Sequence, residues 1–289
     1  MYYIEVESGV KIMVEDINPC GAKTILFIHG WPLNHKMFEY QINVLPKYGY
    51  RCVLINLRGF GASDKPWEGY SYERLADDVR VVIDHINVEH LILAGYSMGG
   101  AIAVKYMSRH AGHKVSKLAL LAAAVPAVTR HPGYPYGVSK ETWNALIIET
   151  YKDRPQMLAD VSKLFFANPV SSSFLSWFQD ICLEASGHAT IKTGEVIRDA
   201  DLSADLNRIY VPTGIFHGRM DRVCLFELAL QTHKGIACST LYPFEHSGHG
   251  IFHDELKLFN KTFLEFLEVP EREERCKEKS VDLDFFKVF

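Results

Sequence analysis

Short apolar runs alternate with longer polar or amphipathic stretches along most of the chain. A short apolar run bounded by turn-forming residues is typical of a strand that is buried on both faces. Strands that alternate with helical patterns indicate a mainly parallel sheet. The pattern therefore predicts an α/β fold with a mostly parallel central sheet and flanking helices. The predicted strands of this series are residues 24–28, 51–55, 90–94, 117–122, 211–216 and 240–242.

The start of the chain has a different pattern, in which apolar and polar residues alternate. Residues 2–6 and 10–14 show this alternation on either side of Ser8 and Gly9. Two alternating runs joined by a short turn that contains glycine are typical of a β-hairpin. We therefore expect the sheet to open with an antiparallel pair of strands.

Two stretches have the period of an amphipathic helix. Residues 72–86 place their apolar side chains on one helical face, and Ser71 precedes them as a candidate N-cap. Such a helix fits the crossover between two parallel strands. A second amphipathic helix is predicted over residues 254–267, where it would close the domain. The apolar positions of the first helix are Leu75, Val79, Val82, Ile83 and Ile86.

The alternation of strands and helices stops after Pro126 and resumes near residue 207. The many aromatic residues between these points fall into helix-like patterns without a clear strand. We interpret residues 127–206 as a helical cap that is inserted between two parts of the core. The core is then formed by residues 1–126 and 207–268.

The last segment, residues 269–289, begins as a charged run and ends in apolar residues. Charged runs are usually solvated linkers, which favours disorder for this tail. The apolar end, which contains Phe285, Phe286, Val288 and Phe289, favours docking on this subunit or on a partner subunit. The sequence leaves both interpretations of the tail open.

Length, composition and charge limit the classes of function. A chain of 289 residues with 48% hydrophobic residues can build one large α/β domain with an insertion. The formal net charge of -4 gives no bulk attraction for nucleic acid, so we expect a small, roughly neutral substrate. The first residues lack the pattern of a secretory leader, and no apolar run is long enough to span a bilayer. We therefore expect no membrane partner and a cytoplasmic location.

The cysteines give no sign of a disulfide framework or of a zinc site. There are six of them, they lie far apart, and none forms a C-x-x-C pair. We interpret them as reduced thiols, which suits a reducing cytoplasm, and we expect neither a metal nor a cofactor. The six residues are Cys20, Cys52, Cys182, Cys224, Cys238 and Cys276.

The segment GYSMGG, residues 95–100, follows a predicted buried strand and precedes a predicted helix. Gly95 and Gly99 flank Ser97 at two residues on either side, which indicates a turn too tight for neighbouring Cβ atoms. A sharp turn from strand to helix would lift Ser97 above the carboxyl edge of the sheet, where open α/β sheets bind ligands. Ser97 is therefore the candidate nucleophile.

A serine nucleophile needs a base and an oriented carboxylate, and the chain supplies both beyond later strands. Asp221 lies in HGRMD after the strand at 211–216, and His249 lies in SGHG after the strand at 240–242. We predict that Asp221 and His249 complete a catalytic triad with Ser97. Weaker rivals for the acid are Asp205 and Asp254, and weaker rivals for the base are His246 and His253. Three of these histidines also form H-x2-H-x3-H, but Gly248 and Gly250 would interrupt a helical metal site.

The negative charge that develops on a substrate carbonyl oxygen needs fixed donors. The loop His29-Gly30-Trp31-Pro32 follows the strand at 24–28, and Met98 begins the helix after Ser97. We predict that the backbone N–H groups of Trp31 and Met98 form the oxyanion hole. His29 is expected to support the loop by hydrogen bonds. The side chains expected to line the substrate pocket are Trp31, Trp143, Phe165 and Phe166.

Taken together, these motifs and their order resemble the α/β-hydrolase superfamily. The resemblance covers residues 20–126 and 208–267, and it is closest to small arylesterases and cofactor-free haloperoxidases, also called perhydrolases. It implies a serine hydrolase with a helical cap that acts on small esters or lactones, sometimes with peracid formation from hydrogen peroxide. Pro32 is found in many perhydrolase-type members. The motifs are HGWP, NLRGFGASDKPW, GYSMGG, HGRMD and SGHG.

Other functions are compatible with the same constellation of residues. The triad would also serve the hydrolysis of C–C bonds or amides, because one fold hosts several acyl transfers. A serine at position 97 argues against dehalogenases and epoxide hydrolases of this fold, which use an aspartate nucleophile. A ligand receptor that inherited the fold is the alternative from a different class. The oligomeric state stays open, with a homo-oligomer as one option.

Overall fold

Eight strands form one sheet in the order β1-β2-β4-β3-β5-β6-β7-β8. The computed structural model describes residues 1–270, so the tail predictions for residues 271–289 lie outside the described residues. All eight predicted strands are found, with ends that differ by a few residues. The strands are β1 Tyr2–Glu7, β2 Val10–Ile17, β3 Lys23–Ile28, β4 Tyr50–Ile55, β5 Leu91–Tyr96, β6 Val115–Leu121, β7 Thr213–Gly218 and β8 Ser239–Phe244.

The sheet is mostly parallel, as the sequence predicts. Strand β2 pairs antiparallel with both β1 and β4, and the pairs between β4 and β8 are all parallel. Strand β5 is buried at every position, and β3 is buried and apolar after Lys23 and Thr24 at its start, as expected for strands covered on both faces. The predicted antiparallel opening and the parallel core are therefore both confirmed.

The order of the strands creates a switch point beside β3. The chain passes from β3 to β4 on one side and then crosses to β5 on the other side, so β3 lies between them. Ile28, the last residue of β3, stands opposite Gly95 of β5. Ligands of open α/β sheets bind at the carboxyl ends of the strands at such a point. The chain segments that follow β3 and β5 are thus placed side by side.

Ten α-helices within residues 1–270 surround or extend the sheet. The helix predicted at 72–86 has these bounds, and the Ser71 hydroxyl accepts a hydrogen bond from the Arg74 N–H at 3.2 Å as its N-cap. The helix predicted at 254–267 is interrupted at Glu255. The helices are α1 Glu39–Ile42, α2 Tyr72–Ile86, α3 Met98–Arg109, α4 Lys140–Phe165, α5 Ser172–Leu183, α6 Gly187–Asp199, α7 Ser203–Leu206, α8 Phe226–Gly235, α9 Ile251–Asp254 and α10 Leu256–Leu267.

Helices α4 to α7 lie in the segment between β6 and β7. Helix α4 is broken at Asp153, whose backbone is non-helical, two residues before Pro155. The N–H of Leu202 donates to the carbonyl of Pro126 at 2.9 Å, which brings the two ends of the segment together. A helical segment that leaves and re-enters the sheet at neighbouring points can cover one edge without interrupting the strand order.

Two expectations about the whole chain can be compared with residues 1–270. No helix in this part of the chain combines the length and apolar character that crossing a bilayer requires. Cys20, Cys52, Cys182 and Cys224 are free thiols. Cys238 is disulfide-bonded, so the interpretation of every cysteine as a reduced thiol is wrong at this position.

A buried ion-pair network fixes the loop between β4 and α2. The Arg58 side chain has no exposed surface and donates to both carboxylate oxygens of Asp78, at 2.6 and 2.7 Å. Arg58 also donates to Glu7 at 2.6 Å, and Arg74 shares the Asp78 carboxylate. A buried guanidinium is tolerated only when its donors are satisfied. The network therefore joins the segment RGFG to α2 and to β1.

We expect Asp78→Ala to lower the free energy of unfolding by about 3–5 kcal/mol, because it leaves the buried Arg58 charge without its main partner. Arg80→Ala is the matched control, since it removes an ion pair with Asp84 from the exposed face of the same helix. That change should cost less than about 1 kcal/mol. Urea unfolding at pH 7 measures both. Equal losses in the two variants would contradict the assigned importance of the Arg58 network.

Candidate active site

Ser97 lies alone between the end of β5 and the start of α3. Its backbone has φ 51° and ψ −117°, a conformation that residues with a side chain rarely adopt. The Ser97 N–H donates to the Leu121 carbonyl of the neighbouring strand at 2.9 Å. Only 6% of the residue is exposed. The turn predicted from GYSMGG is therefore strained and held by its surroundings.

The glycines around Ser97 are required by close backbone contacts. A Cβ atom on Gly95 would lie 2.3 Å from the Gly99 carbonyl oxygen, and one on Gly99 would lie 2.2 Å from the Ile28 carbonyl oxygen. A Cβ atom on Gly30 would approach the Ser97 Cβ to 2.9 Å. Real Cβ atoms do not approach other atoms this closely. These contacts press the loop after β3 directly against Ser97.

Asp221 and His249 are joined by a short hydrogen bond between two fully buried side chains. His249 Nδ1 lies 2.7 Å from Asp221 Oδ2. Because a carboxylate only accepts, Nδ1 carries the proton and Nε2 is left with its lone pair. Nε2 is buried and has no hydrogen-bond partner among residues 1–270. The base predicted from sequence is thus oriented and has its acceptor atom unused.

The Asp221 carboxylate receives four hydrogen-bond or charge contacts. Oδ1 accepts from the backbone N–H groups of Val223 and Cys224, each at 2.8 Å, and Oδ2 is also 3.2 Å from His217 Nε2. Burial by itself would raise the pKa of Asp221, but His249 and His217 and the hydrogen bonds they make hold it below its usual range. Asp221 is therefore a carboxylate at neutral pH.

His217 is a contact that the sequence analysis did not identify. Its Nε2 lies 2.6 Å from the Cys224 carbonyl oxygen, so this nitrogen carries a proton, which the carbonyl accepts at the shorter distance and Asp221 Oδ2 faces at 3.2 Å. The residue is 1% exposed and stands four positions before Asp221 in the motif HGRMD. The motif HGRMD was the only sequence signal for His217. The motif did not indicate that this second histidine contacts the Asp221 carboxylate.

Asp254, a rival for the catalytic acid, binds backbone rather than histidine. Its carboxylate accepts from Gly248 N–H at 2.8 Å, Ala167 N–H at 2.9 Å and Asn168 N–H at 3.2 Å. The first of these groups precedes His249, and the other two follow α4. Asp254 thus ties the loop that carries His249 to the end of the longest helix between β6 and β7.

The remaining rivals lie elsewhere or make other contacts. Asp205 pairs with Lys105 at 3.1 Å. His246 is exposed, and His253 packs its ring 3.9 Å from the ring of Phe174. Of the predicted alternatives, only Asp221 and His249 are brought together with each other.

The loop after β3 is held by a neutral histidine. His29 is completely buried, its Nδ1 donates to the Gly30 carbonyl at 2.9 Å, and its Nε2 accepts from Leu57 N–H at 3.0 Å. Burial lowers the pKa of His29 to about 3. The predicted supporting role of His29 is therefore confirmed, and the ring nitrogens are both used.

The two predicted oxyanion donors have no competing acceptor in the described part of the chain. Neither Trp31 N–H nor Met98 N–H donates a hydrogen bond within residues 1–270. Met98 is the first residue of α3, where the helix dipole adds partial positive charge. Trp31 follows Gly30, which touches Ser97. Two unpaired N–H groups therefore belong to the segments that pack around Ser97.

The predicted pocket aromatics separate into two groups. The ring of Phe165 lies 4.8 Å from the ring of His249, and Trp31 lies 6.0 Å from Trp143. Phe166 instead packs against other phenylalanines, with Phe174 and Phe178 each at 5.3 Å. The Phe165 ring thus contacts His249 and the two tryptophans contact each other, whereas the Phe166 ring packs among phenylalanines and against Gly250.

A buried thiol lies beside Ser97, and the sequence analysis did not predict it. Burial and the Asp221 charge raise the pKa of Cys224 well above its usual value, although a hydrogen bond with the Ser97 side chain opposes the shift. The thiol stays protonated at neutral pH. Cys224 is therefore a poor nucleophile here and does not compete with Ser97 for that role.

Comparison with known proteins gives consistent matches over nearly the whole described chain. A family model described as the alpha/beta hydrolase fold matches residues 23–256. The AB hydrolase superfamily protein YisY of Bacillus subtilis (strain 168) is 50% identical over 265 residues, covering 92% of this chain and 98% of that protein. The esterase EaEST from Exiguobacterium antarcticum superposes with a TM-score of 0.90 at 43% identity, covering 92% and 98% of the two chains. A bromoperoxidase from Bacillus anthracis superposes with a TM-score of 0.88 at 30% identity, covering 92% and 99%.

The stability of the protein should fall in acid partly because of His29. The pKa of His29 is about 3 in the folded state and about 6.5 in the unfolded state. Between pH 3 and pH 6.5 the unfolded state therefore binds a proton that the folded state does not, and this lowers the stability. The contribution of His29 is complete above pH 6.5 and decreases as the pH falls toward 3, by about 1.4 kcal/mol per pH unit. Urea unfolding at pH 7 and pH 5 measures the change.

His29→Gln removes the titrating ring and serves as the comparison. We expect this variant to be less stable at pH 7 but to lose about 2 kcal/mol less than the wild type between pH 7 and pH 5. The other histidines are present in both proteins, so the difference between the two pH dependences reports on His29 and its interaction with His35. An identical pH dependence in the two proteins would mean that His29 is not held neutral by burial.

Proposed function

Because the chain belongs to the α/β-hydrolase family, we propose that it is a serine hydrolase that cleaves small carboxylic esters or lactones through an acyl-enzyme. The observation that carries this proposal is the buried hydrogen bond between Asp221 and His249 at 2.7 Å, with His249 Nε2 unpartnered within residues 1–270. An oriented base with an unused acceptor and a strained serine at the switch point of the sheet are the groups that nucleophilic catalysis needs.

The first step of the proposed reaction is attack by Ser97. His249 Nε2 takes the Ser97 hydroxyl proton while the oxygen bonds to the substrate carbonyl carbon. Asp221 holds the ring by its bond to Nδ1 and stabilises the imidazolium that forms. The four contacts around the Asp221 carboxylate keep it ionised for this purpose.

The second part of the proposal concerns the oxyanion. The N–H groups of Trp31 and Met98 would donate to the carbonyl oxygen as it becomes negative. Removal of one such donor from an enzyme typically costs about 10²–10³ in rate, because fixed dipoles act strongly in a site that excludes water. The buried state of both residues supports this role.

Collapse of the tetrahedral intermediate completes acylation. The imidazolium of His249 gives its proton to the leaving alkoxide, which departs as an alcohol and leaves the acyl group on Ser97. Water then attacks the acyl-enzyme with His249 again as the base, which releases the carboxylic acid and restores the serine. For a lactone, the alcohol and the acid are parts of one product.

The surroundings of the triad favour small, uncharged acyl groups. Ser97 is nearly buried, the ring of Phe165 lies 4.8 Å from the ring of His249, and Trp31 follows Gly30, which packs against Ser97. We propose that Trp31, Trp143 and Phe165 form the pocket wall, with Phe166 supporting it from behind. The esterase name of the Exiguobacterium relative, at 43% identity, supports ester hydrolysis as the activity.

A side activity with hydrogen peroxide is the second candidate function. Peroxide would replace water in the deacylation step, so that the acyl group leaves Ser97 as a peracid and the proton passes to His249. The bromoperoxidase name of the Bacillus anthracis relative, at 30% identity, supports this extension. Pro32 follows the proposed oxyanion donor, as in many proteins of the perhydrolase branch that the motifs resemble.

Ser97→Ala should lower the hydrolysis of p-nitrophenyl esters by at least about 10³-fold, since no other group would attack the carbonyl. Acyl lengths from acetate to decanoate measure the pocket at the same time, and a serine-reactive phosphonate should label the wild type alone. Ser162→Ala is the control, because it removes a buried serine hydroxyl from α4.

Near wild-type esterase activity in Ser97→Ala would refute the proposed mechanism. Labelling of the wild type without turnover of any ester would favour hydrolysis of amides or C–C bonds, or a receptor function. Tight, saturable ligand binding would then favour the receptor.

Asp221→Asn should lower kcat by about 10³–10⁴-fold, because an amide in place of the carboxylate favours the wrong tautomer of His249. Asp254→Asn is the matched comparison, since Asp254 also contacts the loop of His249 but accepts only from backbone N–H groups, and asparagine keeps one oxygen acceptor. We expect it to cost less than about 10-fold. Hydrolysis of p-nitrophenyl acetate checks both, and a reversed order would exchange the roles of the two aspartates.

A further inference from the structure

The side chain of Trp31 reaches from the loop after β3 to the helical segment between β6 and β7. Its indole Nε1–H donates to the carbonyl oxygen of Thr190 in α6 at 2.8 Å. The residue is only 6% exposed, so this bond is shielded from water. One residue therefore carries both a backbone N–H beside Ser97 and a side-chain bond to α6.

A second tryptophan makes the same type of bond one turn further along α6. Trp143 Nε1–H donates to the Gly194 carbonyl at 2.7 Å, and its ring lies 6.0 Å from the ring of Trp31. Residues four apart share a face of a helix, so Thr190 and Gly194 present their carbonyls on the same side. One face of α6 thus binds an indole from the core and an indole from α4.

The same loop is fastened to α5 and its end by further polar contacts. Asn34 Nδ2 donates to Glu184 Oε2 at 2.8 Å, and Lys36 Nζ lies 2.5 Å from the other oxygen of Glu184. A Cβ atom on Gly59 of the core would lie 2.3 Å from the Ala189 Cβ, which shows how closely α6 approaches the core. Helix α6 is therefore fixed relative to the segment that contains Trp31.

The position of an oxyanion donor matters because it must match the transition state more closely than the substrate. The backbone at Trp31 follows Gly30, whose lack of a side chain permits the contact with Ser97. The Gly30 carbonyl, which belongs to the same peptide group as the Trp31 N–H, accepts from His29 Nδ1 and from Leu33 N–H, each at 2.9 Å. Gly30 and Trp31 lie in no helix or strand, so the indole bond to α6 adds a restraint from outside the loop to these two local bonds.

We propose that α6 positions the Trp31 backbone N–H for oxyanion binding through the hydrogen bond from the Trp31 indole to the Thr190 carbonyl. This inference rests on the proposed function and goes beyond it, because it makes the Trp31 side chain a positioning group for the reaction in addition to a pocket wall. The helical segment would then contribute to kcat, and not only to the affinity for substrate.

The test replaces Trp31 with benzothienylalanine, in which sulfur takes the place of the indole N–H and the shape of the ring is kept. The variant loses the bond to Thr190 with little change in packing. Two readouts are needed: kcat and KM for p-nitrophenyl acetate, and the inhibition constant of a trifluoromethyl ketone, which forms an oxyanion when Ser97 adds to it. Trp31→Phe gives a second variant with the same missing donor.

We expect kcat to fall by about 10-fold and the trifluoromethyl ketone to bind more weakly by a similar factor, while KM stays within about 3-fold. A parallel loss is the signature of oxyanion stabilisation, since the inhibitor and the transition state share the same charge. A role confined to packing would instead raise KM or lower the melting temperature without weakening the inhibitor in proportion.

Two comparisons separate this bond from general loosening of α6. Lys192→Met removes the contacts of α6 with the Trp67 carbonyl and with Glu68, which do not involve the loop after β3. We expect it to leave kcat and inhibitor binding within about 2-fold. Benzothienylalanine at position 143 removes the equivalent indole bond, and it should affect KM more than inhibitor binding.

Two outcomes would overturn the inference in different ways. Unchanged inhibitor binding and kcat in the benzothienylalanine variant at position 31 would refute the positioning role and leave the proposed function standing. Absence of Ser97-dependent turnover in the wild type, together with no inhibition by the ketone, would refute the proposed function and the inference with it.

Discussion

The close approach of two backbone segments at the switch point of the sheet is the constraint on which the candidate site depends. The Gly99 region of the turn after β5 lies against the last carbonyls of β3, and Gly30 of the next loop lies against Ser97. Side chains at these glycines would force the segments apart. The contact holds Ser97 in its positive-φ conformation and brings the Trp31 and Met98 segments to the same place. A strained residue persists in this way only when its surroundings over-determine it.

Full burial of the Asp221 and His249 side chains adds an electrostatic requirement. A carboxylate without exposed surface is stable only if its oxygens are satisfied, and two backbone N–H groups and two histidines meet this need. The same burial makes the interaction with His249 stronger than it would be in water. Hence the groups that stabilise the Asp221 charge also fix the carboxylate that orients the His249 ring. The candidate site is preorganised without a substrate.

The helical segment between β6 and β7 is part of this preparation and does more than cover the sheet. It binds the loop of His249 through Asp254 and through the bond from Gly250 N–H to the Phe165 carbonyl at 2.6 Å. It binds the loop of Trp31 through Thr190. Both loops leave the carboxyl ends of strands, where chain segments are least restrained by the sheet. Contacts with the helices between β6 and β7 thus restrict the two loops that carry His249 and Trp31.

Local patterns in the sequence determined the strands, the helix at 72–86, the glycine-bounded turn at Ser97, and Asp221 and His249 as candidates, because these features depend on residue spacing along the chain. The tertiary structure decided the rest. Phe165 and Phe166 are adjacent and chemically identical, yet only the fold determines which ring faces His249. The contacts of His217 and Cys224 with Asp221, and the bond from Trp31 to Thr190, join segments brought together by packing. Periodicity records which residues share a face, but it carries no distance between elements that are far apart in the chain.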